Sequence, residues 1–502
     1  MYAPQDEIHR YWKGIAKKHN IEPHIRFNNE FVSAVWDERG QNYTLRLRNV
    51  QTYGVTEVKA KIVISAVGTF HYPRWPAVPG RESFQGEILH AQMWNQGVSL
   101  TGKRVALIGN GCAGSQILPA IAEESSTMVT NFCRTPSWYT PRRQKPVPIW
   151  AKWAFRNVPL ALRGFRLFLA ARSEMFYQHL KLGPLASYFR KRVEKVGLCE
   201  FVLSIANLHI TQDMANYIRS AAPVKYHKYL IPSYDVGCKR IIMDPGYLQA
   251  LHRPNVDMEW DPILEIVSDG IVTKSGRKHQ VDVIAFATGF DIASSVTLNV
   301  TGARGQCLED YYRQEGGPTG YMGTTIPGFP NWITIYGPNI GTGHASVIFA
   351  EELQMNYISG LLKPVLQDKV KSFVPRAESA QFWNKWVQSC LNKHVWAGCA
   401  SWYRADGPNA KIFALWPGGN IHMWWSFRKP NWKHFELVGG ERWLLKWCVL
   451  DAIGTLLRLG FVAAGINIGA LALTKLGQRN ELIMFAQKTL QECAGSVCGL
   501  LI

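Results

Sequence analysis

Apolar positions along the chain recur with two periods, and the switches between them mark out the elements. From Gln5 to His19 the spacing of Ile8, Tyr11, Trp12 and Ile15 follows one face of a helix. Phe31–Trp36, Tyr43–Leu47 and Val55–Val58 read as short strands of an antiparallel meander with a turn near Gly40. Lys61 to Val67 is an apolar β run that stops at Gly68. Further β runs lie within Thr101–Ile108, Met128–Cys133, Val281–Ala287 and Trp332–Tyr336, while residues from about 144 to 230, rich in Leu, Phe, Arg and Lys, read as helical. Strands and helices alternate, with glycines at strand ends. That is the signature of a doubly wound α/β protein, which binds ligands at the carboxyl ends of its strands. No internal repeat or low-complexity tract interrupts the pattern.

One strand end carries a motif. Gly109, Gly111 and Gly114 follow the run that closes at Ile108 and open the helical stretch Ser115 to Glu124. In a dinucleotide site the first such glycine makes a tight turn, the second admits a pyrophosphate to the backbone, and the third packs helix on strand. The helix N-terminus then offers its dipole to the phosphates. About 20 residues on, where NAD sites keep an acid for the ribose hydroxyl, stands Arg134, followed by Thr135, with Arg142 and Arg143 beyond. An arginine fork there suits a 2′-phosphate, so the spacing points to NADP.

Length and charge narrow the picture. A chain of 502 residues exceeds one compact core, so two or three domains are expected. Against 56 Lys and Arg stand 37 Asp and Glu, a net charge of +19 that favours anionic partners. The basic residues are scattered and form no clustered stripe, which argues against nucleic acid and leaves phosphate-bearing cofactors or an anionic membrane surface. The ten cysteines show no paired spacing and no metal cadence, so no metal is expected, and Cys112, Cys238 and Cys399 read as isolated, buried, reduced thiols. Met1 leads straight into polar sequence with no signal-peptide pattern, which points to the cytoplasm. Near the end, Leu459 to Thr474 is uncharged between Arg458 and Lys475. It falls short of the roughly 20 apolar residues a spanning helix needs and reads as a buried or membrane-apposed helix.

The segment Phe84-x-Gly86-x-x-x-His90-x-x-x-Trp94 is, by physics alone, a turn, an apolar pair and a lone histidine, and a lone histidine is more often structural than catalytic. The same segment resembles the fingerprint of the Baeyer–Villiger monooxygenases, a group of class B flavoprotein monooxygenases. Asn95 stands where that fingerprint ends in Pro or Asp, and the related flavin-containing monooxygenases carry Tyr or Phe in place of Trp94. Collinear matches extend the resemblance: Tyr2-Ala3-Pro4-Gln5 with Glu7-Ile8, Arg134-Thr135-Pro136 with Trp138, Ala287-Thr288-Gly289-Phe290, Gly328-Phe329-Pro330-Asn331, Gly337-Pro338-Asn339, Gly343-His344 and Trp416-Pro417-Gly418. The resemblance implies FAD and NADPH as cofactors, a small-molecule ketone and O₂ as substrates, and an ester or lactone as product. It also implies cofactor contacts at Gln5, Thr288, Gly289 and Asn339, besides those of the glycine loop and Arg134-Thr135. Gly237-Cys238-Lys239-Arg240 matches the family's catalytic segment, so Arg240 would stabilise developing negative charge and Lys239 would face the NADPH phosphate. Without the resemblance, Lys239 and Arg240 read as a solvated basic pair.

The implied architecture has two Rossmann-like domains. The FAD domain would span 1–95 and 282–440, and the NADPH domain 96–281 with a helical insertion at about 144–236, followed by an apolar helical tail at 441–502. The family carries two glycine fingerprints, FAD first, and residues 1 to 108 supply none. The reading is therefore an FAD domain lacking its first strand and helix, in which the strands of Lys61–Val67 and Val281–Ala287 lose a central neighbour. Two other functions stay open on the residues: an N- or S-oxygenating flavin monooxygenase, and a non-catalytic relative that keeps NADPH. The late segment and the tail resemble fungal secondary-metabolism members, which implies a polyketide or terpenoid ketone, for instance a hydroxyversicolorone-like anthraquinone.

Overall fold

The computed structural model describes residues 3–142, 146–181, 210–404 and 410–456. The uncharged stretch 459–474 lies outside them. In chain order the elements that position the site are α1 (Gln5–Lys18), β1 (Asn29–Asp37), β2 (Asn42–Asn49), β3 (Val55–Ala60), β4 (Val63–Ser65), β5 (Glu87–His90), β6 (Arg104–Ile108), α2 (Cys112–Ile121), β7 (Met128–Phe132), α3 (Ile149–Asn157), α4 (Ala161–His179), α5 (Ile210–Ala221), β8 (Val256–Glu259), β9 (Val283–Phe286), β10 (Val300–Thr301) and β11 (Trp332–Thr334).

The centre of the site is a five-stranded, wholly parallel sheet in the order β8-β7-β6-β9-β5. Parallel sheets bury both faces, and β6 shows how one strand serves both. Val105 and Leu107 enter a core with Leu118 of α2 and Ile218 of α5, while Ala106 and Ile108 face Phe84, Ile266, Ile271 and Phe286 on the other side. The alternation is the two-residue period of a strand read out on two cores.

A second sheet orders β10-β1-β2-β3, and its meander is antiparallel with the paired register Ala34↔Leu45 and Trp36↔Tyr43. Its core gathers Ala34, Trp36, Tyr43, Val300, Phe329 and Trp332. β4 pairs in parallel with β11 alone among the described residues. α1 forms where the helical spacing placed it, yet it buries none of its residues.

Two expectations change here. Strand β9 does not lack a neighbour: it is hydrogen-bonded to β6 on one side and β5 on the other, and all four of its residues are buried. Sheet membership also differs from boundaries at 95 and 282, because β5 and β9 belong to the sheet that carries the glycine loop. A short, all-apolar strand announces that it is central without announcing to which sheet.

Residues 1–363 with 372–436 form one compact unit, and 364–371 with 437–502 form another. In the second, the Lys371 amide donates to the Val438 carbonyl at 2.9 Å, and a helix runs over the described residues 441–456. Among the described residues no helix is long and apolar enough to cross a membrane.

Candidate active site

The glycine loop has the geometry its spacing predicted. Gly109 takes φ +112, a conformation L side chains avoid, and a Cβ there would sit 2.6 Å from the Ala287 carbonyl oxygen. A Cβ on Gly114 would lie 2.1 Å from the Gly109 carbonyl oxygen, so α2 approaches the loop only because that residue is bare. Gly111, in contrast, faces open space, with nothing within 4 Å of a built Cβ. The first and third glycines thus serve the fold, and the second leaves room for a ligand at the N-terminus of α2.

The loop is pinned from beneath. Asn131, wholly buried on β7, donates through Nδ2 to the carbonyls of Leu107 at 2.8 Å and Gly109 at 3.1 Å. The Tyr247 hydroxyl donates to its Oδ1 at 2.7 Å, and Tyr247 stacks on Tyr139, whose hydroxyl lies 3.0 Å from Ser115 Oγ. Burial drives both phenols far above their usual range, so the bracket stays neutral. Asn110 is buried as well, and its Nδ2 has no protein partner. Sequence reasoning missed this bracket. Its signal was an asparagine amid an apolar strand, a residue strands disfavour unless its amide is engaged.

Beyond the end of β7, Arg134 and Thr135 are exposed. Lys239 reaches over from its loop and donates from Nζ to Thr135 Oγ1 at 3.0 Å, with its ammonium 5.1 Å from the Tyr234 ring. Its pKa is held below the lysine range, first by burial and then by the charge of Arg134. Neither cation has a carboxylate within ion-pair distance among the described residues, so the corner is built for a multiply charged anion.

Arg240 is exposed and has no hydrogen bond or ion pair among the described residues. Protein packed around the Cys112 thiol, whose residue is nonetheless exposed, and around the Tyr336 and Tyr403 hydroxyls raises all three pKa values, and the charge of Arg240 opposes that rise without overcoming it. The loop bearing Lys239 and Arg240 is fastened at its base. Gly237 has φ +92 with a would-be Cβ 2.4 Å from Leu180 Cδ2, and Cys238 is disulfide-bonded to Cys399. The reading of Cys238 and Cys399 as reduced, isolated thiols is corrected: 161 residues separate them in sequence, and the fold brings their Cα atoms to 6.1 Å. Cys112 is exposed rather than buried. Spacing rules find local pairs and cannot find this one.

The fingerprint divides by role. Phe84 is buried over Gly86, where a Cβ would meet its ring at 2.7 Å and the Asp282 carbonyl oxygen at 2.3 Å. Trp94 packs beside the core under α2 and lines a groove of about 450 Å³ with Leu100, Gln116 and Ile117. These three build the edge of the sheet around β5. His90 differs. It ends β5, nearly fully buried, with Nδ1 accepting from the Gln92 amide at 3.1 Å and Nε2 unpartnered. Burial lowers its pKa, opposed by a hydrogen-bonding contribution from the Gly289 backbone; with Nδ1 accepting, a neutral ring carries its proton on Nε2.

Thr288 and Gly289 lie where β9 leaves the sheet. The Thr288 hydroxyl donates to the Arg74 carbonyl at 2.6 Å, and the Arg74 amide returns to the Gly289 carbonyl at 3.0 Å. Asn339 does not present its amide to a ligand: Nδ2 is spent on the Ile412 and Leu415 carbonyls, both at 2.9 Å, and it pins that segment instead. Gln5 is exposed in the first turn of α1. A further cluster centres on His344, which the sequence marked only as part of the Gly343-His344 match. Both ring nitrogens of His344 are buried without partners, Tyr177 lies 4.9 Å away ring to ring, and burial together with the charge of His394 brings the His344 pKa down to about 4. Among the described residues no group of His, Cys, Asp or Glu could hold a metal ion.

Comparison with known proteins adds an independent line. Residues 1–150 match the flavin-binding monooxygenase-like family. The chain is 32% identical to a Baeyer–Villiger monooxygenase of Streptomyces coelicolor over 444 residues, 87% of this chain and 79% of that protein. It is 28% identical to the FAD-binding monooxygenase ktnD of Aspergillus niger, over 87% of this chain and 70% of that one. Among solved structures, an oxidised steroid monooxygenase bound to NADP superposes with a TM-score of 0.69 at 26% identity, covering 88% of this chain and 86% of that one.

Proposed function

The chain belongs to the Baeyer–Villiger branch of the flavin-binding monooxygenases, and from there we propose that it oxidises an organic ketone to an ester or lactone with NADPH, FAD and O₂. The residues fit NADPH: space above Gly111, the unpartnered Asn110 amide, and the acid-free corner of Arg134, Thr135 and Lys239. They also fit a second bound group, since His90 Nε2, Thr342 Oγ1 and both nitrogens of His344 are buried polar atoms awaiting partners. When bound, FAD supplies the electron transfer and oxygen activation that side chains cannot perform.

The chain's own work is then position and charge. The open space at Gly111 and the dipole of α2 hold the pyrophosphate, and Arg134 with Lys239 holds the 2′-phosphate. Arg240 offers an unpaired guanidinium to negative charge developing on the substrate's carbonyl oxygen, in the manner of a preorganised oxyanion site. Removing one such donor typically costs about 10²–10³ in turnover. That Arg240 is unpaired while its loop is fastened is the observation that carries the proposal. The segment Trp416-Pro417-Gly418 supports a polyketide or terpenoid ketone of fungal secondary metabolism as substrate. The described tail helix exposes Leu445, Val449, Ile453 and Leu456, which supports an apposed rather than a spanning tail.

Arg240→Ala is expected to abolish ester formation while NADPH still reduces the flavin. Product analysis beside NADPH consumption checks it, and wild-type ester yield from the variant would remove Arg240 from the mechanism.

A further inference from the structure

Helices α3 and α4 form a hairpin whose outer face the site does not use; the far end of α4, at Tyr177, reaches His344. They meet through Phe155 and Phe165, whose rings lie 5.0 Å apart, and that contact sets which faces turn outward. Outward on α3 stand Ile149 at 86% exposure, Trp150 at 72% and Trp153 at 62%. Leu160, exposed, precedes α4 as its cap, and within the helix Gly164, Leu167 and Phe168 fall at spacings of three and four on one exposed face, with Leu162 exposed as well. A Cβ on Gly164 would meet nothing within 4 Å, so the stripe is open along its length. Soluble proteins scatter single exposed apolar residues and rarely gather them with two tryptophans.

Along the outer part of this hairpin the charge has one sign; Glu174, farther along α4, is half-buried and accepts from the Asn420 amide at 2.6 Å. Between Ile149 and Arg172 lie Lys152, Arg156, Arg163, Arg166 and Arg172, and no Asp or Glu. Arg166 is paired with Glu352; the other four are exposed, and no carboxylate pairs with them among the described residues. A protein-binding face mixes signs and depletes charge at its centre. Aromatic and aliphatic side chains accompanied by these four unpaired Lys and Arg are the composition of a helix lying in the headgroup layer of an anionic bilayer. The long basic side chains can lay their stems along the apolar stripe and extend their heads to lipid phosphates.

We propose that the α3–α4 hairpin is a docking surface for anionic lipid, which seats the protein on a membrane face without crossing it. An apolar ketone dissolved in that membrane would then meet the enzyme at the surface.

The test is co-sedimentation of the full chain with phosphatidylcholine vesicles, with and without phosphatidylserine. Binding is expected on the vesicles containing phosphatidylserine and is expected to weaken as salt rises. Trp150→Ser, Trp153→Ser, Leu167→Ser and Phe168→Ser combined, with the tail at 441–502 untouched, should weaken it by at least about tenfold. A second variant that keeps the apolar stripe, Arg163→Gln with Arg172→Gln, should lose roughly fivefold per charge. Retained NADP binding reports that each variant is folded. No sedimentation of the wild-type chain, or binding that both variants keep, overturns the proposal. So does self-association without lipid that the serine substitutions remove, which would assign the face to a second copy of the chain.

Discussion

Arg134 and Lys239 bring like charges into one corner, and that arrangement raises the energy of the empty site and lowers it when a phosphate arrives. An arginine–phosphate contact is worth roughly 1.5–3 kcal/mol. Arg134→Ala should therefore weaken NADPH binding by about 10-fold or more and leave NADH binding nearly unchanged, as titration of both cofactors will show. Equal losses for the two would refute the 2′-phosphate role. The position of Arg134 beyond the end of β7 was legible because it stands at a fixed distance from a glycine motif. Asn131, which holds that motif in place, was not, since its two carbonyl partners are backbone atoms of a neighbouring strand and no side-chain pattern marks them. At Asn339, where a motif match suggested a ligand contact, the side-chain Nδ2 is engaged by two backbone carbonyls and pins that segment.

The loop from Gly237 to Arg240 acts as a unit. Its base is locked by Gly237 against Leu180 and by the bond from Cys238 to Cys399, and its two cations project beyond. Cys399→Ser frees one side of that base. A displacement of about 1 Å at a reacting centre can cost on the order of 10²-fold, so ester formed per NADPH consumed should fall several-fold, and NADPH affinity should fall with it because Lys239 rides on the same loop. Unchanged coupling in the variant would show that the cross-link is irrelevant to Arg240. Elements of this kind divide in how far a sequence reveals them. The meander β1–β3 and the β6–α2–β7 unit follow from local periodicity and lie where the pattern set them. The tether at Cys238 depends on two loops meeting across the fold, and nothing local in either loop encodes it.

Stability against acid belongs to the chain as a whole, and buried neutral histidines set its direction. His344 has its pKa lowered from the ordinary 6.5 to about 4, and His90, His394, His422 and His434 are shifted the same way by burial. Below pH 6.5 the unfolded chain takes up protons that the folded chain refuses. Stability is thus complete above that value and is lost as pH falls toward about 4, with His344 accounting for at most roughly 3 kcal/mol. His344→Gln should flatten the acid side of a plot of denaturation midpoint against pH, and an acid side identical to wild type would exclude His344 as a contributor. The order of strands in the central sheet sets a delay during synthesis. β5 and β6 are near neighbours in sequence, yet β9 lies between them, and it is not synthesised until residue 286 has left the ribosome. Until then two apolar strands stand with facing edges unfilled, free to zip to each other or to another nascent chain, and such late, non-local insertion is what makes a fold slow and prone to aggregate. Yield of soluble protein in a cell will therefore follow the pace of translation and the supply of chaperones through that window.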